Sequence, residues 1–138
     1  MALSKNKIKY FNSLTLKKNR DNEQVFVAEG IKLVGDLLPY FRAKYIVAAS
    51  EWLEKNRVEA DEIIEIEDLD EMKKITQLST PSIVYAVFFR PQYDFSIDEL
   101  LRNKELILAL DAVQDPGNLG TIIRIADWFG IRNIICSQ

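Results

Sequence analysis

Strand-like and helix-like segments alternate along most of the chain, and this alternation restricts the fold more than any other feature. Four short segments rich in β-branched and apolar residues lie between residues 24 and 89, with three amphipathic segments between them. The strand-like segments are QVFVA, AKYIVAAS, DEIIEI and SIVYAVFF. Alternation of this kind is typical of α/β domains, in which helices pack on a parallel or mixed sheet. We therefore predict an α/β domain over residues 1–90.

A basic helix is predicted before the first strand. Ile8, Phe11 and Leu14 recur near helical spacing, which indicates one amphipathic helix over residues 4–18 with Ser4 as its N-cap. The lysines of this segment fall mostly outside its apolar face.

The later helices of this domain are predicted at residues 30–41, 51–58 and 67–78. Gly30 is expected to turn the first strand into the first of these helices, because glycine accepts backbone conformations that other residues avoid. Ser50 is expected to cap the second, since serine is a preferred N-cap residue.

The end of the chain predicts a single β-α-β unit over residues 105–138, after a linker at residues 91–104. ELILALD is a fully apolar strand, which suits a parallel sheet buried on both faces. AVQDPGNLG is interpreted as a loop, GTIIRIADWFG as a helix and RNIICS as the next strand. Gly130 fits the helix C-terminus.

Composition limits the class of protein and the chemistry. The chain has 138 residues, of which 48% are hydrophobic and 28% charged, as in an ordinary folded protein. It has no histidine and a single cysteine, Cys136, so we predict no disulfide and no metal site. Cys136 is expected to be a buried strand residue. No apolar run is long enough for a membrane span, and no secretory signal is present, so a cytoplasmic location is expected.

Charge is distributed unevenly along the chain. The net charge is −3, yet the first 20 residues contain only basic charges: Lys5, Lys7, Lys9, Lys17, Lys18 and Arg20. A basic end on an acidic protein suggests a polyanion as partner. The alternative is a basic terminus that is merely solvated.

The segment Asp115-Pro116-Gly117-Asn118 has the composition of a tight turn. It is expected at the carboxyl end of a parallel strand and before a helix, where open α/β sheets usually bind ligands. Free N–H groups there, with the cation of Arg124, would suit an anion. The alternative is a simple turn and a solvated arginine.

The pattern GNLG is neither a Walker loop nor a full dinucleotide fingerprint. It resembles the short GXXG loop of a KH domain, but the surrounding β-α-β order differs from that of a KH domain.

The stretch LALDAVQDPGNLGTIIRIADWFG closely resembles the first motif of the SpoU (TrmH) family of RNA 2′-O-ribose methyltransferases, within the SPOUT class. The resemblance includes DPGNLG and Arg124. KIKYFNSLTLKKNR and VFVAEGIKLVGDLL also resemble the substrate-binding domain of this family. The resemblance covers nearly the whole chain and implies an L30e-like α/β fold for residues 1–90.

This resemblance implies transfer of a methyl group from S-adenosylmethionine to a ribose 2′-hydroxyl of rRNA or tRNA. Asn118 and Arg124 would correspond to active-site positions, where Asn118 orders the loop and Arg124 stabilises the developing alkoxide. The residues expected to contact RNA are Lys5, Lys7, Lys17, Lys18 and Arg20.

In the SPOUT class the cofactor is bound by a C-terminal trefoil knot. The resemblance therefore implies that residues 105–138 are only the opening β-α-β unit of that domain, and that the cofactor-binding residues lie C-terminal to Gln138. We expect this chain to bind RNA, to bind no S-adenosylmethionine and to be inactive alone, and the full-length enzyme to be a homodimer through the knot region. The alternative is a stand-alone L30e-type RNA-binding module without catalysis. The apolar residues expected to lose their partners are Ile122, Ile123, Ile125, Trp128 and Ile134.

Overall fold

The computed structural model describes residues 3–93, 96–103 and 105–137. Its helices are α1 (Lys5–Ser13), α2 (Lys17–Glu23), α3 (Ile31–Leu37), α4 (Ser50–Lys55), α5 (Leu69–Lys73), α6 (Ile97–Arg102) and α7 (Pro116–Trp128). Its strands are β1 (Val25–Glu29), β2 (Ala43–Ala49), β3 (Ala60–Ile66), β4 (Val84–Phe89), β5 (Ile107–Leu110) and β6 (Asn133–Cys136). The chain forms two compact units, Met1–Gln92 and Tyr93–Gln138.

The first unit is built on a mixed four-stranded sheet with the order β1-β4-β2-β3. β4 runs antiparallel to both β1 and β2, whereas β2 and β3 are parallel. β4 and β2 are therefore the central strands, and β1 is an edge strand. The predicted α/β class is confirmed for this unit, and its sheet is the mixed one of the two predicted alternatives, parallel or mixed.

Helices cover both faces of this sheet, which explains why β4 is almost continuously apolar. On one face, Phe11, Leu14, Met72 and Ile75 pack against the strands. On the other face, Val34 of α3 and Trp52 of α4 do the same. Alternate β4 side chains point to opposite faces: Tyr85 and Val87 belong to the first cluster, and Val84, Ala86 and Phe88 belong to the second.

The single basic helix predicted over residues 4–18 is wrong, because the structure divides this segment into α1 and α2. Ser4 caps α1 as expected, accepting a hydrogen bond from the backbone of Lys7. Arg20 donates from Nη1 to the carbonyl oxygens of Leu14 and Thr15, each at 2.7 Å. These carbonyls would otherwise accept bonds within a continuous helix, so the arginine stabilises the break between the two helices.

Of two details predicted for the other helices, one differs in the structure and one agrees. Ser50 does not cap α4; the N-cap is Ala49, without a side-chain hydrogen bond. The reason is that sheet-type bonding continues to Ala49, whose N–H donates to the carbonyl of Ile83, so the helix starts directly after the strand. Gly30 does turn β1 into α3, with a φ of 105°.

The second unit contains the parallel pair β5 and β6, joined through α7, together with α6. The predicted helix start at Gly120 is four residues too late, since α7 begins at Pro116. Asp115 is the N-cap and accepts from the N–H of Gly117 at 2.9 Å, while proline fits the first helical position. The turn-like composition of this segment thus belongs to a helix N-terminus.

One helix leaves much of the apolar surface of this unit uncovered. Ile125 is 52% exposed, Trp128 86% and Phe129 74%. The exposure of Trp128 agrees with the expectation that it lacks packing partners, whereas the expectation that Cys136 is buried is wrong. Ile122 and Ile134 are half-buried. Among residues 3–93, 96–103 and 105–137, no helix is long and apolar enough to cross a membrane.

Candidate functional sites

Three of the predicted RNA-contact residues are free cations at the surface. Lys5 on α1 and Lys17 and Lys18 on α2 are exposed. Within the described part of the chain, none of the three forms an ion pair. Lys17 and Lys18 occupy the first turn of α2. Cations oppose the helix dipole at that end, so they do not serve the stability of this helix.

Lys7, in contrast, is held within the first unit. Its Nζ donates to Oε2 of Glu62 on β3 at 2.5 Å and lies 4.0 Å from the centroid of the Tyr45 ring. Partial burial lowers the pKa of Lys7, but the hydrogen bonds to Glu62 and Tyr45 outweigh it, and the pKa lies above its ordinary value. A phosphate would therefore compete with a carboxylate for this lysine.

A second cluster beside Tyr45 was not predicted from the sequence. Nζ of Lys44 lies 2.5 Å from Oε2 of Glu23 and 3.1 Å from the hydroxyl of Tyr10, which donates to the same carboxylate at 2.8 Å. The hydrogen bond to Lys44 lowers the pKa of Glu23, whereas burial raises the pKa of Tyr10 to about 12. Because each charge in this cluster is matched by an opposite one, it adds little net positive potential.

Arg20 lines an open groove of about 410 Å³ along the edge strand β1. Phe26, Leu33 and Leu78 contribute apolar surface to this groove, and its lining also includes the buried Phe11 and Tyr85. Glu29 lines it as well and is held there, since its carboxylate accepts from the N–H of Gln77 at 2.9 Å and from the hydroxyl of Thr76. Sequence patterns did not identify the groove, because its residues come from distant segments.

The two predicted catalytic residues lie on the exposed surface of α7. Asn118 is in its first turn, and Arg124 is further along, beside a groove of about 500 Å³ that Asp127 and Arg132 also line. Six residues of helix separate them by about 9 Å along the axis and about 120° around it. The structure therefore does not bring Asn118 and Arg124 together within this unit.

The loop before α7 is fixed by a contact that the sequence did not reveal. Ala112 has a φ of 54°, which is uncommon for a residue other than glycine. Its N–H donates to Oγ of Ser137 at 2.9 Å, and the N–H of Ser137 donates to the carbonyl of Leu110. A residue beyond β6 thus holds the loop beyond β5.

Comparison with protein families identifies the first unit. Residues 5–86 match the family described as the MRM3-like substrate binding domain. The 23S rRNA (guanosine(2553)-2′-O)-methyltransferase RlmP of Bacillus subtilis is 32% identical over 133 residues, which are 94% of this chain and 50% of that protein. The mitochondrial rRNA methyltransferase 3 of Homo sapiens is 24% identical over 127 residues, or 86% of this chain and 30% of that protein.

Solved structures resemble the chain over nearly its whole length. A TrmH-family protein from Porphyromonas gingivalis is 38% identical with a TM-score of 0.82, and the match covers 99% of this chain and 53% of that one. An AdoMet-bound rRNA methyltransferase from Sinorhizobium meliloti is 32% identical with a TM-score of 0.71, covering 99% and 52%. The chain thus spans about half the length of these proteins.

Proposed function

Because the chain belongs to the SpoU (TrmH) family of RNA methyltransferases, with an MRM3-like substrate-binding domain at residues 5–86, we propose that it carries the RNA-binding unit and the first catalytic motif of an rRNA 2′-O-ribose methyltransferase. The methyl donor of that reaction is S-adenosylmethionine. The observation that carries the proposal is the 133-residue match to a 2′-O-methyltransferase, which extends beyond the first unit. A stand-alone RNA-binding module would account only for the first unit.

The first unit is proposed to be an L30e-like domain that binds the RNA backbone through Lys17 and Lys18. Lys5, which precedes them in the sequence, is proposed as a further contact. These lysines are exposed, unpaired within the described residues, and in the case of α2 placed against the helix dipole. A phosphate would offset that unfavourable placement. Contacts of this kind give affinity for any sequence and a strong dependence on salt.

Filter binding of the 138-residue chain to rRNA fragments at several salt concentrations tests this role. Changing Lys17 and Lys18 to alanine should weaken binding and reduce the slope of log affinity against log salt by about 1.4, if each lysine contacts one phosphate of a single strand. The matched control changes Lys73 and Lys74 to alanine. Both control lysines are paired with acids on their own helix, so the slope should stay nearly unchanged.

Either of two results would refute contact between these lysines and RNA. One is an unchanged salt slope in the variant with Lys17 and Lys18 changed to alanine. The other is an equal loss in the control variant, which would mean that overall charge rather than position sets the affinity.

In the second unit we propose that Arg124 acts as a fixed cation near the reacting ribose. A guanidinium stays protonated, so it suits stabilisation of the developing alkoxide better than removal of the hydroxyl proton. Asn118 would order the segment before the catalytic helix and contact neighbouring groups. In an enzyme that contains this sequence and methylates RNA, Arg124→Ala should abolish turnover with little change in affinity for the cofactor. Activity retained by that variant would refute the assignment.

We assign no residue of this chain to the cofactor. The grooves lined by described residues of the second unit are open, and the one beside Arg124 combines isoleucines with Arg124, Asp127 and Arg132. This set offers no enclosed pocket for the adenosine part of S-adenosylmethionine, and the two arginines disfavour a sulfonium cation. Calorimetry of the 138-residue chain with S-adenosylmethionine should show no binding, and micromolar affinity would overturn this view.

A further inference from the structure

We propose that the groove between Arg20 and the edge strand β1 receives one unpaired nucleobase of the bound RNA. This inference rests on the proposed RNA binding of the first unit and adds a second type of contact to it. The lysines of α2 can recognise only the backbone, whereas a groove with apolar surface and hydrogen-bonding groups can hold a base.

The size and surface of the groove suit a base. Its volume of about 410 Å³ falls in the range of small-ligand sites, roughly 300–1,000 Å³. Phe26 is half-buried and presents aromatic carbon to the groove, on which bases of any sequence can pack, and the exposed side chains of Leu33 and Leu78 add apolar surface. The amide of Gln77 lies in the same lining, where it can donate to or accept from a base edge.

The hydroxyl of Tyr85 is the most informative group in the groove. Tyr85 is only 1% exposed, and its hydroxyl forms no hydrogen bond with any described residue. Yet the described chain contains no buried side-chain oxygen or nitrogen that lacks a partner. The hydroxyl therefore keeps a small accessible area, and Tyr85 is one of the residues that line the groove. A buried tyrosine usually satisfies its hydroxyl within the protein, so a hydroxyl without a protein partner is available to the polar atoms of a ligand, in exchange for water.

The cations at the groove favour RNA over an extended peptide on β1, and the carboxylate in its lining, Glu29, is engaged by the hydroxyl of Thr76 and the N–H of Gln77. Arg20 is fixed by two carbonyl oxygens and has no carboxylate partner among the described residues, so its charge stays available for a phosphate. Lys17 and Lys18 stand on the same short helix. An RNA strand with one base in the groove would thus place its backbone beside Arg20, and Lys17 and Lys18 lie on the same helix as that arginine.

The test compares Tyr85→Phe with the unmodified chain on two ligands of equal charge. One ligand is a fluorescent single-stranded RNA oligonucleotide, and the other is a ribose-phosphate oligomer of the same length without bases. Because the removed hydroxyl has no protein partner, the substitution should leave the folded structure and its Tm unchanged. We expect Tyr85→Phe to bind RNA about fivefold more weakly, in line with one lost hydrogen bond, with the same salt slope. Both proteins should bind the base-free oligomer equally well.

Tyr40→Phe is the control, since Tyr40 is 81% exposed and lies outside the groove. Equal RNA binding by Tyr85→Phe and the unmodified chain would overturn the base pocket while leaving RNA binding intact. An equal loss on both ligands would also overturn it, since the contact would then be to the backbone. If the chain self-associates through β1 and RNA does not displace the second copy, the groove binds that copy and not a base. Failure of the unmodified chain to bind any RNA would refute the proposed function itself.

Discussion

Substitution of Arg20 tests whether this cation stabilises the fold in addition to its proposed contact with RNA. Changing Arg20 to alanine removes two hydrogen bonds, both 2.7 Å long, from a charged donor to the carbonyls of Leu14 and Thr15. Bonds to charged groups contribute about 1.5–3 kcal/mol each when buried. Because Arg20 is half-buried and one nitrogen makes both bonds, the two contributions do not simply add. We expect Arg20→Ala to lower the free energy of unfolding by about 2 kcal/mol.

Urea unfolding followed by tryptophan fluorescence measures this loss. The chain has two tryptophans. Trp52 is buried in the first unit and Trp128 is exposed in the second, so a Trp128→Phe background makes Trp52 the only reporter. For an m-value of about 1–2 kcal/mol per molar urea, the midpoint should fall by about 1–2 M. Lys18→Ala is the matched control on the same helix and should leave the midpoint unchanged or slightly higher, because it removes a cation from the first helical turn.

Equal midpoints for Arg20→Ala and Lys18→Ala would refute the structural role of Arg20. The carbonyls at the break between α1 and α2 would then be satisfied equally well by water. RNA affinity measured on the same two variants completes the comparison: Lys18→Ala should lose affinity alone, whereas Arg20→Ala should lose both affinity and stability.

Three further predictions concern stability and association. The hydrogen bond to Lys44 lowers the pKa of Glu23. The ionised carboxylate therefore contributes to the free energy of unfolding above its unfolded-state pKa, and this contribution is lost as the pH falls through the folded-state value. Glu23→Gln should lower the Tm at pH 7 by an amount that corresponds to at most about 1 kcal/mol, and the difference in Tm from the unmodified chain should vanish in acid. Gly30→Ala should destabilise by about 1–3 kcal/mol because of its φ of 105°, whereas Gly35→Ala, in open space on α3, should stabilise by roughly 0.5–1 kcal/mol in the same denaturation assay. Trp128→Gln should reduce self-association in sedimentation experiments without lowering the Tm, because that side chain is 86% exposed. Unchanged self-association would show that Trp128 does not contribute to contacts between copies of the chain.

Features that depend on neighbouring residues could be predicted from the sequence. The period-two and helical patterns indicated an α/β chain, and Ser4 and Gly30 were placed correctly because caps and strand-to-helix turns depend on local backbone geometry. The segment around Asp115 was also recognised as special. Its turn-like composition was nevertheless misassigned, since aspartate followed by proline suits both a tight turn and a helix N-terminus.

The sequence by itself determined the class of fold, the position of its basic end and the motif that identifies the family. Only the tertiary structure decided which of the basic residues are free: Lys7 is bound to Glu62 from a distant strand, Arg20 holds a helix break, and Lys17 and Lys18 stay exposed. It also placed Tyr85 opposite Glu29 on neighbouring strands, where both residues line a groove. The physical reason is that local patterns record the backbone preferences of adjacent residues, whereas pairing between distant segments is set by strand order and packing, which no short stretch of sequence encodes.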